Sequence, residues 1–220
     1  MASMDTSQVT DSQLVWDSRY AGMRAKGVQP EPDPWLDQWV ESLSISQGQI
    51  TLDLGCGVGS DTRTLAAHGF EVVSLDFSIE ALRTAQQSLS PRRLLLGDIR
   101  EGLPFSSEAF QGIIANLSLH YFRWHETEGI VQDVRRCLRQ NGFLLVRLNS
   151  INDVNFGAVG NPEVEPGLYL VQGTLKRFFD RESIVRLFRV GWEVVNLEER
   201  TTARYRNEKH LWEVLVQRRG

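Results

Sequence analysis

Cysteine is scarce in this chain: Cys56 and Cys137 are the only two among 220 residues. No disulfide framework follows from them, and neither they nor the four scattered histidines stand at metal-ligand spacing. Long apolar runs are missing too. Stretches such as Phe143 to Val146 fall far short of the roughly 20 residues a membrane helix needs. The N-terminus carries no apolar signal region, so a cytoplasmic chain without a membrane partner is expected. Neither charge sign dominates, with 24 Lys and Arg against 28 Asp and Glu. A net charge of −4 offers no general attraction to nucleic acid, and no nucleic-acid partner is expected. No internal repeat is found.

What remains is enough for one ordinary core. At 41% hydrophobic residues, the chain is expected to form a single domain that buries about 70% of its unfolded surface. Residues 1 to 12 are small, polar and aperiodic, which predicts a disordered N-terminus ahead of one domain over 13 to 220.

The most informative stretch is Thr51-Leu52-Asp53-Leu54-Gly55-Cys56-Gly57-Val58-Gly59-Ser60-Asp61, an apolar strand entering a glycine-dense turn and then a helix. Glycine has no Cβ and accepts positive φ, so a ligand can lie against bare backbone there. The first N–H groups of the helix that follows have no partner within it and can donate to bound polar atoms. A phosphate loop would need Lys followed by Ser or Thr after the last glycine, where this chain has Ser60-Asp61. A dinucleotide loop wants G-x-G-x-x-G, whereas Gly55, Gly57 and Gly59 alternate, and Asp61 would repel a pyrophosphate at that helix start. A dinucleotide oxidoreductase therefore ranks behind a ligand with a cationic part and a ribose.

The order Asp53-x-Gly55-x-Gly57-x-Gly59 resembles the first motif of the class I S-adenosylmethionine-dependent methyltransferases, and the resemblance extends over about residues 13 to 218. It implies that Asp53 faces the cofactor ammonium through water, while Gly55, Cys56 and Gly57 supply close backbone. Asp76, with Phe77 beside it, closes the next strand where Rossmann-like folds place a carboxylate against ribose hydroxyls. Gly97-Asp98-Ile99 resembles the adenine segment, with the Asp98 carboxylate accepting from the exocyclic amine and the Ile99 N–H donating to the ring. Asn116 and Leu117 open the segment after the fourth strand, which should face the transferred methyl group. Trp16 and Tyr20, four apart on one helical face, offer aromatic surface to a sulfonium from an N-terminal flap over 13 to 47.

The predicted fold is an α/β, Rossmann-like three-layer sandwich around a seven-stranded, mostly parallel sheet with its last strand antiparallel. A helix is expected over 126 to 140 with the fifth strand from Phe143, and a lid insertion over 150 to 179. Within that insertion Lys176 and Arg177 are candidates to bind an anionic acceptor. His120 is the candidate general base, since imidazole takes a proton near neutrality. The expected function is methyl transfer from S-adenosyl-L-methionine to a small-molecule acceptor. A cofactor-binding sensor without activity, or a methyltransferase acting on protein or RNA, is the alternative.

Overall fold

The computed structural model describes residues 12–27, 33–43, 48–90 and 93–220. The expectation of disorder over 1 to 12 lies almost wholly outside those residues, as do parts of the flap. In chain order, helix α1 (Ser12–Ala25) precedes a 3-10 helix (Pro34–Trp39) that runs into α2 (Val40–Leu43). The central elements are β1 (Ile50–Leu54), α3 (Ser60–Ala67), β2 (Glu71–Asp76), α4 (Ile79–Ala85), β3 (Leu94–Leu96), β4 (Phe110–Asn116), α5 (Trp124–Cys137) and β5 (Leu138–Asn149). They are followed by β6 (Glu163–Glu165), β7 (Leu168–Val171), β8 (Thr174–Arg177), α6 (Arg181–Leu187), β9 (Trp192–Thr202) and β10 (Lys209–Arg218).

Seven strands form one sheet in the order β3-β2-β1-β4-β5-β10-β9. The first five run parallel, and β10 runs antiparallel to both β5 and β9. Strand order reverses between β1 and β4, so the loops leaving those two strands part and open a crevice at their C-terminal ends.

Period-two alternation builds the layers. Along β5, Leu144, Val146 and Leu148 join the core beneath α5 and α6, while Phe143 and Leu145 join the core of Trp35, Leu36, Trp39 and Leu65 on the opposite face. The second core depends on the chain entering at Asp33, whose carboxylate accepts from the Trp35 N–H while Pro34 takes the first helical position. An ion cluster ties this entry to the sheet, since Arg147 lies 2.8 Å from Asp33 and 3.2 Å from Glu213.

One expectation is corrected here. Helix α5 stops at Cys137, and β5 begins at Leu138, because Leu138 already pairs with Phe110 of β4. Asn141, at φ 59°, and Gly142 form an irregularity inside the strand and do not cap the helix. The stretch after β5, aperiodic in sequence, contains an antiparallel sheet of β6, β7 and β8.

Gly112 on β4 shows how closely the sheet face is filled, for a Cβ there would collide with the Phe143 ring. Gly112→Ala is therefore expected to destabilise the fold by about 1–3 kcal/mol through overpacking. Gly129→Ala, at a helical glycine with nothing within 4 Å, should stabilise it by about 0.5–1 kcal/mol. Urea midpoints of the two variants should move in opposite directions, and a shared direction would contradict this packing.

Candidate active site

The glycine turn is built by its neighbours. Gly55 and Cys56 donate their N–H groups to the Leu75 carbonyl at 2.8 and 3.1 Å, and the Asp76 carboxylate accepts from Gly57 N–H and Ser78 N–H, both at 2.8 Å. Gly55 and Gly57 hold φ of 76° and 53°, where side chains are strained. Space forbids them as well: a Cβ on Gly55 would strike Ser118, and one on Gly57 would sit 2.9 Å from the Tyr20 hydroxyl. Ser118 is fixed in turn by donating its hydroxyl to the Leu54 carbonyl at 2.7 Å. Just before it, Leu117 takes a left-handed φ of 53°.

Beneath the turn lie carboxylates without a close cation among the described residues. Asp53 is 1% exposed and accepts the Thr62 hydroxyl at 2.5 Å. Asp61 accepts from the Trp35 indole N–H at 3.0 Å and from the Asn116 amide at 2.8 Å. Burial first, then the nearby Asp61 charge, pushes Asp53 up to about 8. Burial likewise raises Asp61 and Asp76. Such a site gains by taking a positive charge.

A cavity of about 460 Å³ opens over this turn, within the range of ligand pockets. Trp16, Tyr20, Gly55, Asp76, Phe77, Asp98, Ile99, Asn116, Leu117 and His120 all line it. Asp53, Cys56 and Gly57 do not: Asp53 sits behind the turn on Thr62, and Gly57 is engaged by Asp76. The Asp98 carboxylate is already held by Arg100, whose Nε lies 3.0 Å from each of its oxygens. Trp16 stacks on Tyr20 at 5.6 Å and meets Tyr121 edge-on at 5.4 Å. Helix α1 is fastened there by Gln13, which donates to the Phe77 carbonyl at 2.9 Å, and by Asp17, which accepts from the Ser78 hydroxyl.

A family described as "Methyltransferase domain" matches residues 52–146, the span from β1 through β5 that builds the turn, both carboxylate-tipped strands and the segment after β4. Over residues 52–146 the chain is similar to methyltransferase domains. An uncharacterized methyltransferase of Synechocystis is 37% identical over 111 residues, 50% of this chain and 52% of that protein. A trans-aconitate 2-methyltransferase of Delftia acidovorans is 37% identical over 88 residues, 39% of this chain and 33% of its own length. The chain thus spans about half the length, or less, of the curated relatives it matches. Among solved structures, the Burkholderia thailandensis 1,6-didemethyltoxoflavin-N1-methyltransferase, with S-adenosylhomocysteine bound, superposes with a TM-score of 0.65 at 20% identity, over 94% of this chain and 88% of that one. That likeness is one of fold.

The other half of the cavity includes residues that sequence reading passed over: Arg19, Asn149, Phe156, Tyr205 and Lys209. Lys209 donates to Asn149 Oδ1 at 2.8 Å and Asp153 Oδ2 at 2.7 Å, and its ammonium lies 4.7 Å from the Phe156 ring centroid. Lys176 and Arg177, adjacent on β8, point to opposite sides. Lys176 lines the cavity and donates to the Phe156 carbonyl at 3.0 Å, whereas Arg177 is buried, ion-paired with Glu165 and bonded to the carbonyls of Phe122 and Pro166. Arg177 is a structural residue here. His120, 1% exposed, has no hydrogen-bond partner on Nδ1 among the described residues. Burial, then the Lys176 and Lys209 charges, holds its imidazole well below its ordinary range, so it stays neutral.

The raised Asp53 has a signed consequence. Unfolded, this carboxyl ionises near 3.8, and folded only near about 8, so its contribution to stability falls as pH rises through that window. Asp53→Asn keeps an acceptor for Thr62 and removes the titration. Without cofactor, the melting temperature of the variant minus that of the wild type should grow from pH 5 to pH 8 and then level. A difference constant with pH would contradict the buried carboxyl.

Proposed function

We propose that this protein transfers a methyl group from S-adenosylmethionine to a small-molecule acceptor. The observation that carries the reading is the juxtaposition, in one cavity, of the bare glycine turn over cation-seeking carboxylates with a second, partly cationic half around His120. The residues fit the cofactor in kind. Asp76 retains acceptor capacity for ribose hydroxyls beyond its two backbone bonds, and Asn116 Oδ1 is buried without a partner among the described residues. Asp53, Asp61 and Asp76 favour an ammonium nearby, and the Trp16 and Tyr20 rings favour a sulfonium. Asp98 and Ile99 are the residues proposed to meet adenine, which requires Asp98 to share its oxygens with Arg100.

When bound, the cofactor supplies an electrophilic methyl group. The chain's own task is then to align a nucleophile and exclude water, so orientation supplies much of the rate. Helix α1 on one side and the segment 150–179 on the other are placed to do this. Two relatives with named acceptors, trans-aconitate in one and didemethyltoxoflavin in the other, support a small molecule. In this reading His120 is a neutral hydrogen-bonding wall of the acceptor site, because burial and two ammonium groups weaken it as a base. No helix among the described residues is long and apolar enough to cross a membrane.

Calorimetric titration should show S-adenosylhomocysteine binding and raising the melting temperature, with NAD doing neither. The reverse pattern would overturn the assignment, and binding without release of S-adenosylhomocysteine on any acceptor would favour a sensor. His120→Asn should keep turnover within about tenfold, whereas a loss of about 10²–10⁴-fold would reinstate it as the general base. Both α1 and 150–179 should gain hydrogen-exchange protection with product and acceptor bound, and unchanged exchange would remove the lid role.

A further inference from the structure

A second cavity, of about 640 Å³, lies between α1 and the segment that carries β6 to β8. It shares Arg19 and Lys176 with the first cavity, so these two side chains stand where the two spaces meet. Charge is distributed unevenly around this junction. The acids that line the first cavity, Asp76 and Asp98, belong to its cofactor half, and among the described residues no Asp or Glu lines the second. Among the described residues, Lys176 donates to the Phe156 carbonyl and lies 5.9 Å from the Phe178 ring centroid, Arg19 lies over the Trp16 face at 5.0 Å, and neither forms a salt bridge. The nearby Asp153 is committed to Lys209 at 2.7 Å. Two cations thus face a space with no counter-charge of its own. The walls of that space also carry Val15, Val154, Val159 and Val171, interspersed with the polar side chains of Asn155, Asn161, Gln172 and Thr174.

Two cations beside a wall of valines and polar side chains complement an anion whose body is partly apolar. Resting on the methyl-transfer reading, we propose that the acceptor is a small carboxylic acid, held by its carboxylate between Arg19 and Lys176 with its apolar body against the valine wall. The guanidinium fork and the ammonium select charge and oxygen geometry, and the valines select the body. Nothing in this assignment decides which acceptor atom is methylated. The carboxylate is the handle by which the molecule is oriented toward the cofactor half.

The test uses the whole protein and a panel of aliphatic and aromatic carboxylic acids of four to ten carbons, each paired with its primary amide and its phosphate-ester analogue. Each compound is titrated by calorimetry with and without saturating S-adenosylhomocysteine. At least one acid should bind tenfold or more tightly than its amide and than its phosphate analogue. Arg19→Gln and Lys176→Met should each weaken the acid by about tenfold, as loss of a charge-assisted bond does, without changing affinity for the amide or for S-adenosylhomocysteine. Lys176→Arg, which keeps the charge, should retain the preference and guards against a misfolded variant. Acids and amides binding alike, tighter binding of the phosphate esters, or an acid preference that survives the double variant would each overturn the assignment. An acid preference found in a protein that fails to bind S-adenosylhomocysteine would uphold the anion site while refuting methyl transfer.

Discussion

The site depends on a single crossing, where the backbone leaving β1 at Gly55 runs against Ser118 in the segment leaving β4. No side chain fits between them, and the Ser118 hydroxyl holds the Leu54 carbonyl at 2.7 Å, so the two loops share one position. β1 and β4 are sheet neighbours, so the residues just beyond their ends meet before the two connections depart in opposite directions. What the crossing leaves is a strip of bare backbone under an open crevice. Tyr20 reaches that strip from α1, and Asp76 anchors it from β2 through Gly57.

Around the crossing, electrostatics sort the cavity into two halves. Carboxylates buried below the glycine turn carry no ion pair at close range, and their cost is met partly by hydroxyl, indole and amide donors from Thr62, Trp35 and Asn116. Across the cavity, burial and then the charges of Lys176 and Lys209 keep His120 neutral, and the two lysines lend the far half a positive character. A sulfonium cofactor and an electron-rich acceptor have opposite needs, and one cavity with opposed ends serves both. The Trp35 indole links the turn to the second core, since it donates to Asp61 while its ring lies 4.7 Å from the Arg147 guanidinium.

Local signals carried much of this in the sequence. Alternating glycines after an apolar strand, an acid ending the next strand and period-two runs of Val, Leu and Ile each depend on neighbours a few residues away, so the central sheet and the residues at its crevice were legible. The end of α5 was not, because Leu138 becomes a strand residue only through pairing with Phe110. Lys209 and Tyr205 were hidden for a related reason: a charged turn between β9 and β10 enters the cavity only once β10 inserts beside β5. The separate fates of Lys176 and Arg177 followed from strand alternation, which was readable once β8 was recognised as a strand. Capture of Asp98 by Arg100, two positions on, was also within reach of a local reading.

A crystal structure with S-adenosylhomocysteine tests the central claim most directly, because it places each end of the ligand against a named residue. The account predicts ribose hydroxyls within hydrogen-bond distance of the Asp76 carboxylate, the amino-acid portion on the backbone of Gly55, and adenine beside Ile99. Density for the nucleoside outside the crevice between β1 and β4, or a ribose with no contact to Asp76, would contradict it.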